Sequence, residues 1–413
     1  MRARRRDRRV YLRSHPVLFA LLAATRRRPA FRVGGTVLAH SRAAFVDGLT
    51  RVPLDRTAEG TTGGAAGRLT GGGLLFDQEG DAHRGTRRGL AESLGADGVT
   101  RLRPIWLEVL DRRLAPLAAG RPVDLVDVAA ELSGATAAAL LGLDVDARTL
   151  AAAAREAASA GAREHLPGLP LPGARRAAQR AAAHLNSLLG DGDGDGLAAM
   201  LAVAAINTTV AGLPRAAAWC ADADLWAYAE TDLEALTSEL LRVTAPTPLL
   251  PRVAAASGSL AGRAVRRGDR LILVARHAVD GHRRDPSPAE PAPPQVAQLV
   301  FGAGPHACPG ARLARLQLAD ALVALAAYRP VVRSARVDRR SALPGWALLT
   351  VTPTRPPPPH PPHPPHRHRP PRPPRPSRPP LLADLVRLWS PGRPNSPRSD
   401  RRRDCPPPPA QIL

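Results

Sequence analysis

The sequence predicts a mainly α fold with a small β portion. Two observations carry this expectation. Long alanine- and leucine-rich stretches repeat their apolar residues at helical spacing, and a few short apolar runs sit beside glycine-containing turns. A chain of 413 residues is long enough to bury a sizeable core in one or two domains.

Taken in order, the N-terminus is rich in arginine and then apolar from Val17 to Ala24. Eight apolar residues are too few to cross a bilayer, and Arg26-Arg27-Arg28 after Thr25 is unlike a signal-cleavage region. An amphipathic first helix is the better reading. Residues 1–13 are expected to be a basic extension, with the main domain over 14–354. Arg32 to Ala39 reads as two short strands around a turn, and Arg42 to Leu49 as a short helix. Residues 57–75, rich in Gly and Thr without periodicity, read as a loop. In the stretch after Asp81, His83 and Arg87 are four apart and share a face if helical. Such a pair is either ordinary exposed charge or two donors suited to carboxylates.

Pro104 to Leu117, Val123 to Leu143, Ala147 to Ala160 and Ala174 to Leu189 read as helices, with a break at Pro167 to Pro172. Asp191 to Gly196 mimics the start of a calcium loop, but its twelfth position is Ala202 rather than Glu, so a linker is expected. Leu197 to Leu213 is the most apolar helix and the expected central buried element, kinked or ended by Pro214. Within it, Asn207, Thr208 and Thr209 are costly to bury unless partnered or functional. Back-bonding onto the helix is the plain alternative. Asp232 to Val243 is a helix on which Glu239 and Arg242, at i, i+3, can form a bidentate pair. Arg252 begins a strand, and Gly268 to Leu273 turns into another. From Arg355 onward the chain is proline-rich with interspersed Arg and His, a composition that builds no packed core and is expected to be disordered or polyproline II.

The net charge of +22 invites a nucleic-acid reading, but its distribution opposes one. Residues 1–28 hold ten Arg against one Asp, residues 355–413 hold twelve Arg against three Asp, and the body between is nearly neutral. No specific nucleic-acid reader is indicated. All 58 basic residues are Arg, which excludes a P-loop lysine, a Schiff-base lysine and a lysine general base. The Cys count of 3, without paired spacing, fits a reducing compartment.

The most informative stretch is Phe301-Gly302-Ala303-Gly304-Pro305-His306-Ala307-Cys308-Pro309-Gly310, which opens onto the helical pattern Ala311 to Tyr328. Pro309 suits the first helical position, and a helix N-terminus favours a thiolate at Cys308. A phosphate-cradling cysteine nucleophile needs an Arg where Ala314 stands, and Cys220 and Cys405 are too distant in sequence to complete a zinc motif. A thiolate ligand to haem needs one Cys, glycines for close approach of the macrocycle and a nearby donor such as His306. A structural Cys after a Gly-rich turn is the bland alternative.

The pattern F-G-x-G-x-H-x-C-x-G resembles the haem-binding signature of the cytochrome P-450 superfamily, soluble bacterial type. The resemblance covers roughly residues 14–354, and its landmarks fall in the right order. It implies a cytochrome P-450-like fold with haem b (iron protoporphyrin IX) between the central helix and the Cys loop, and Cys308 as the axial iron ligand. Phe301, Gly302, Gly304 and Gly310 would shape the loop, while His83, Arg87, Arg252 and His306 would serve the propionates. Glu239 and Arg242 would brace the loop. Thr208 matches the family's oxygen-side threonine, but Asn207 replaces its acid and Ala205 its glycine. An amide cannot shuttle protons as a carboxylate does. The Arg or His that usually completes the brace is missing from residues 286–300, where Gln295 or Gln298 could substitute. The implied activity is O2-dependent hydroxylation or epoxidation of an apolar small molecule in the cytoplasm. Electrons would come from ferredoxin and ferredoxin reductase-type partners, with no membrane span. The alternative is a degenerate member that binds haem, a small molecule or a partner without oxidising anything.

Overall fold

The computed structural model describes residues 2–61, 63, 64, 67, 75–165, 172–190 and 195–354. The 355–413 tail, most of the proline break and most of the Asp191 linker lie outside them, as does part of the 57–75 loop.

The helices are α1 (Arg2–Ser14), α2 (Pro16–Thr25), α3 (Arg42–Thr50), α4 (Gly80–Leu94), α5 (Ala96–Ala118), α6 (Leu125–Leu141), α7 (Ala147–His165), α8 (Ala174–Leu189), α9 (Asp195–Ala223), α10 (Leu233–Thr244) and α11 (Ala311–Ala326). Single turns at Tyr228–Thr231, Ala275–Ala278 and Pro294–Ala297 join them. The strands are β1 (Ala30–Val33), β2 (Thr36–Ala39), β3 (Leu54–Asp55), β4 (Val123–Asp124), β5 (Leu250–Ala254), β6 (Gly258–Leu260), β7 (Arg263–Val265), β8 (Arg270–Leu273), β9 (Val331–Val337) and β10 (Trp346–Thr352). One sheet runs β1-β2-β8-β5-β3, with β2 and β8 parallel and the other pairs antiparallel. A second runs β4-β10-β9, and β6 pairs with β7.

α9 is the axis of the helical layer and packs on α6, α7, α10 and α11. Its span 196–223 is long and apolar enough to cross a membrane, yet half of its most apolar window is already buried within the protein. Pro214 does not end it: the helix continues to Ala223. α5 likewise begins at Ala96 and passes through Pro104. The residues read as the start of the next helix, Val123 and Asp124, form β4 instead, where Asp124 also caps α6 by accepting from Val126 N–H at 3.0 Å. A proline lacks the main-chain N–H, leaving one carbonyl of the preceding turn without its helix donor, and the packing gained along a long buried helix outweighs that loss, so tertiary context overrides the proline signal.

Residues 1–13 are not an extension outside the domain. α1 buries Ala3, Asp7, Val10, Tyr11 and Ser14. Arginines on its other faces made the segment read as a solvated arm, but Asp7, its lone acid, decides its place. The carboxylate meets Arg215 Nη2 at 2.7 Å through Oδ1 and Arg276 Nη2 at 2.9 Å through Oδ2. Both guanidinium groups also lie over the Tyr11 ring, at 4.5 and 3.8 Å from its centroid. Tyr11 in turn donates to the Thr244 carbonyl at 2.6 Å. Burial raises the Asp7 carboxyl, and the two arginines outweigh this and hold it below its ordinary 3.8.

Removing the charge in Asp7→Asn strands two buried cations, so a loss of about 3 kcal/mol is expected in chemical denaturation at neutral pH. Because the folded carboxyl titrates below its ordinary value of 3.8, this contribution is complete above that pH and is lost as pH falls through the lower folded value. The stability gap between wild type and Asp7→Asn should therefore be flat from pH 5 to 7 and narrow below about pH 4.

Candidate functional site

The Cys loop is a chain of short backbone hydrogen bonds. Gly302 N–H donates to Leu299 O at 3.0 Å, Ala307 N–H to Gly304 O at 3.1 Å, and Cys308 N–H to Phe301 O at 2.8 Å. Gly302 and Gly304 adopt φ of +81° and +71°, and a Cβ on Gly304 would press Thr50 Cγ2 at 3.3 Å. Only glycine takes these positions without strain. Gly310 caps α11, which begins at Ala311, so Pro309 sits in the preceding turn rather than in the helix.

Cys308 is solvent-accessible, yet enough protein surrounds it to raise its thiol above the ordinary 9.0. Gly310 N–H and the Arg87 charge oppose the rise without reversing it. The expected lowering by the helix terminus is thus outweighed by desolvation, which penalises an anion that has no cation bonded to it. Cys220, on α9, is fully buried and its thiol is pushed up by burial, so it competes for no such role.

The stretch after Asp81 is helical, within α4, and presents His83 and Arg87 to the loop. Arg87 Nη1 donates to Ala307 O at 2.6 Å. The His83 ring stacks on His306 with centroids 3.8 Å apart. Among the described residues, the buried His83 Nε2 has no hydrogen-bond partner. Burial, followed by the charges of Arg56, His83, Arg252 and Arg87, lowers His306 to about 3. Burial and Arg56 lower Arg252 to about 10, although its Nη1 donates to Pro251 O at 2.8 Å. The acid acting on His83 and Arg56 is Glu79, whose side chain is 62% exposed. Donors therefore converge from α4, β5 and the Cys loop on one place, with Arg56 paired to Glu79 at 3.2 Å beside them, a set suited to receive oxygen acceptors. Arg56 belongs to this group, and nothing in its sequence neighbourhood singled it out.

The brace is complete by a route the sequence did not show. Glu239 and Arg242 are fully buried, joined at 2.8 and 2.6 Å in a bidentate pair. The missing side chain of residues 286–300 is replaced by main chain. Ser287 N–H donates to Oε2 at 3.0 Å and Ala292 N–H to Oε1 at 2.9 Å. Arg242 donates onward to the carbonyls of Val279, Arg284 and Asp285. Burial raises the Glu239 carboxyl, but these donors hold it below 4.5. Gln298 does not join the brace. Its Oε1 accepts from Arg315 at 3.0 Å, while Arg315 also bonds Ser238 at 2.9 Å and lies 5.3 Å from the Phe301 ring centroid. Arg315 thereby ties α10, the Cys loop and α11 together.

On α9, Thr208 Oγ1 donates back to Ala204 O at 2.8 Å. Asn207 Nδ2 donates to Val203 O at 2.8 Å and across to Ala154 O of α7 at 3.2 Å. Both polar groups are committed to helix carbonyls. An open cleft of about 460 Å3 lies at the β3–β5 edge and meets the cationic group at Arg56 and Glu79; Cys308 and Thr208 do not line it.

No family model and no curated protein matches the sequence. Solved structures do. A mutant of the cytochrome P-450 EryK in complex with erythromycin B is 22% identical, with a TM-score of 0.66 over 83% of this chain and 97% of that one. CalO2 is 21% identical, with a TM-score of 0.67 over 84% and 97%. CYP109E1 from Bacillus megaterium, in complex with testosterone, is 16% identical, with a TM-score of 0.66 over 84% and 100%. The fold is that of the cytochromes P-450.

Within this P-450 fold the donor set fits haem: one accessible thiol, glycines at the close approach, an orphaned imidazole nitrogen and converging cations where two propionates would lie. Glu239→Gln places an amide where four donors converge. It should cost about 3 kcal/mol in chemical denaturation, whereas Gln295→Ala, outside the brace, should leave stability within about 0.5 kcal/mol.

Proposed function

We propose that the protein is a haem-thiolate monooxygenase of the cytochrome P-450 superfamily that hydroxylates or epoxidises an apolar small molecule. The observation that carries the reading is Cys308, an accessible thiol in a glycine loop beside the unpartnered His83 nitrogen and its surrounding arginines. Cys308 Sγ would hold the iron of haem b. His83, Arg87, Arg252 and His306 would hold the propionates, with Arg56 adding positive charge. When bound, haem supplies the activation of dioxygen and the transfer of one oxygen atom to substrate. Thr208 would hold a proton at Oγ1, which requires its hydroxyl to leave Ala204 O. Electrons would come from ferredoxin and ferredoxin reductase-type partners, and the cytoplasm suits a free thiolate.

A second reading is a non-oxidising member that binds haem or a small molecule. The geometry of Asn207 favours it: its amide is tied to Val203 and Ala154, and an amide relays no proton as a carboxylate does. Reduced protein with carbon monoxide should show the strongly red-shifted Soret band of a thiolate-ligated carbonyl complex, and Cys308→Ala should lose it while remaining folded. No haem uptake by folded protein would sink both haem readings. Substrate-dependent oxygen consumption separates the two. If proton delivery limits turnover, Asn207→Asp should raise coupled oxygen consumption by about tenfold or more.

A further inference from the structure

We propose that α2 is an interfacial helix that seats this protein on an anionic phospholipid surface. Leu22 is buried against Leu38 and Val274, with Leu18 and Phe19 packed beside it, so one face of α2 is already satisfied. The other face is equally apolar and open. Pro16, Val17, Ala20, Leu21 and Ala24 are exposed, Val17 to 83% and Leu21 to 40%. Val17, Ala20, Leu21 and Ala24 fall at i, i+3, i+4 and i+7 and therefore form one stripe. A helix of a purely soluble surface carries charge on that stripe; here α2 has none between Pro16 and Thr25.

Charge is held instead at its ends. Arg13 precedes α2, and Arg26, Arg27 and Arg28 follow it, all exposed. Among the described residues none of the four has a carboxylate partner within an ion pair, although arginines elsewhere on α1 do. Arg28 lies over Phe31 at 5.2 Å, and Val33, two residues along the same face of β1, is 46% exposed. An apolar stripe rimmed by free guanidinium groups matches a bilayer interface with negative headgroups: the stripe enters the acyl boundary and the arginines meet phosphate. The ten residues of α2 are too short to span, so the helix would lie in the interface plane.

The full chain should co-sediment with vesicles of phosphatidylcholine and phosphatidylglycerol, weakly with pure phosphatidylcholine, and less as salt rises. Val17→Glu/Leu21→Glu should reduce binding about tenfold or more while leaving the unfolding transition unchanged, because both side chains face solvent. Replacing Arg26, Arg27 and Arg28 by Gln should weaken binding to the anionic vesicles and flatten its salt dependence. Undiminished binding by Val17→Glu/Leu21→Glu would overturn the proposal and assign adhesion to arginines elsewhere, including those of residues 355–413. No vesicle binding, with a concentration-dependent dimer that the same variant abolishes, would also overturn it and make the stripe a contact between copies. Neither result depends on haem or turnover.

Discussion

The buried Glu239–Arg242 pair is the interaction on which the site depends. Two charges removed from water cost several kcal/mol each unless their partner and their remaining hydrogen bonds are all in place. Here they are. The carboxylate takes both guanidinium N–H groups and the amides of Ser287 and Ala292, and the guanidinium reaches the carbonyls of Val279, Arg284 and Asp285. Residues 279–292 contain no helix or strand, so their buried polar groups have no ladder to satisfy them. The pair on α10 takes the ladder's place. That segment leads straight into the single turn at Pro294 and the Cys loop, so the position of Cys308 is inherited from α10.

A second buried group extends this frame to the N-terminus. Asp7 gathers Arg215 of α9 and Arg276 of the turn after β8, and Arg276 also donates to Val243 O, next to Arg242. The two clusters are therefore neighbours along α10. Arginine suits both, since one planar fork serves several oxygens at once and a lysine would not. A chain that has used arginine at every basic position can place such forks in its interior, provided a carboxylate meets each fork. At these junctions the buried arginines Arg215, Arg242 and Arg276 meet that condition through Asp7 and Glu239.

The helices, the Cys loop and the Glu–Arg pair were legible because each rests on local chemistry: periodicity, positive-φ glycines, or two side chains at i, i+3. What was not legible depends on distant main chain. The sequence of residues 286–300 shows a missing side chain, whereas the fold supplies two amide groups in its place, and amides leave no mark on composition. α1 was misread for the opposite reason. Its arginines are conspicuous and its one buried acid is not. Pro214 and Pro104 gave strong local signals that long-range packing overrode. Arg56 and Arg315 act through neighbours far away in the chain, so no spacing rule could mark them.

The two sides of the site are built from separate elements, and this separation gives the departures from the family pattern their meaning. The groups proposed to hold the cofactor, Cys308, His306, His83, Arg87 and Arg252, lie on the loop, α4 and β5, and Glu239 and Arg242 find main-chain partners in place of the missing side chain. On the function proposed, the oxygen-side residues are Thr208 and Asn207 of α9, where Asn207 bonds Ala154 and thereby ties α9 to α7. A carboxylate at that position would face the Val203 and Ala154 carbonyls without a proton to offer, and would be pushed away from them toward the open side of the helix. The amide does the reverse: it strengthens the contact between helices and withdraws the polar group from that side. Under that proposal, an amide at Asn207 gives up proton handling for helix packing and leaves the Cys308 loop untouched. On the function proposed, cofactor binding and oxygen chemistry are set by different parts of this chain, and retention of one does not entail retention of the other.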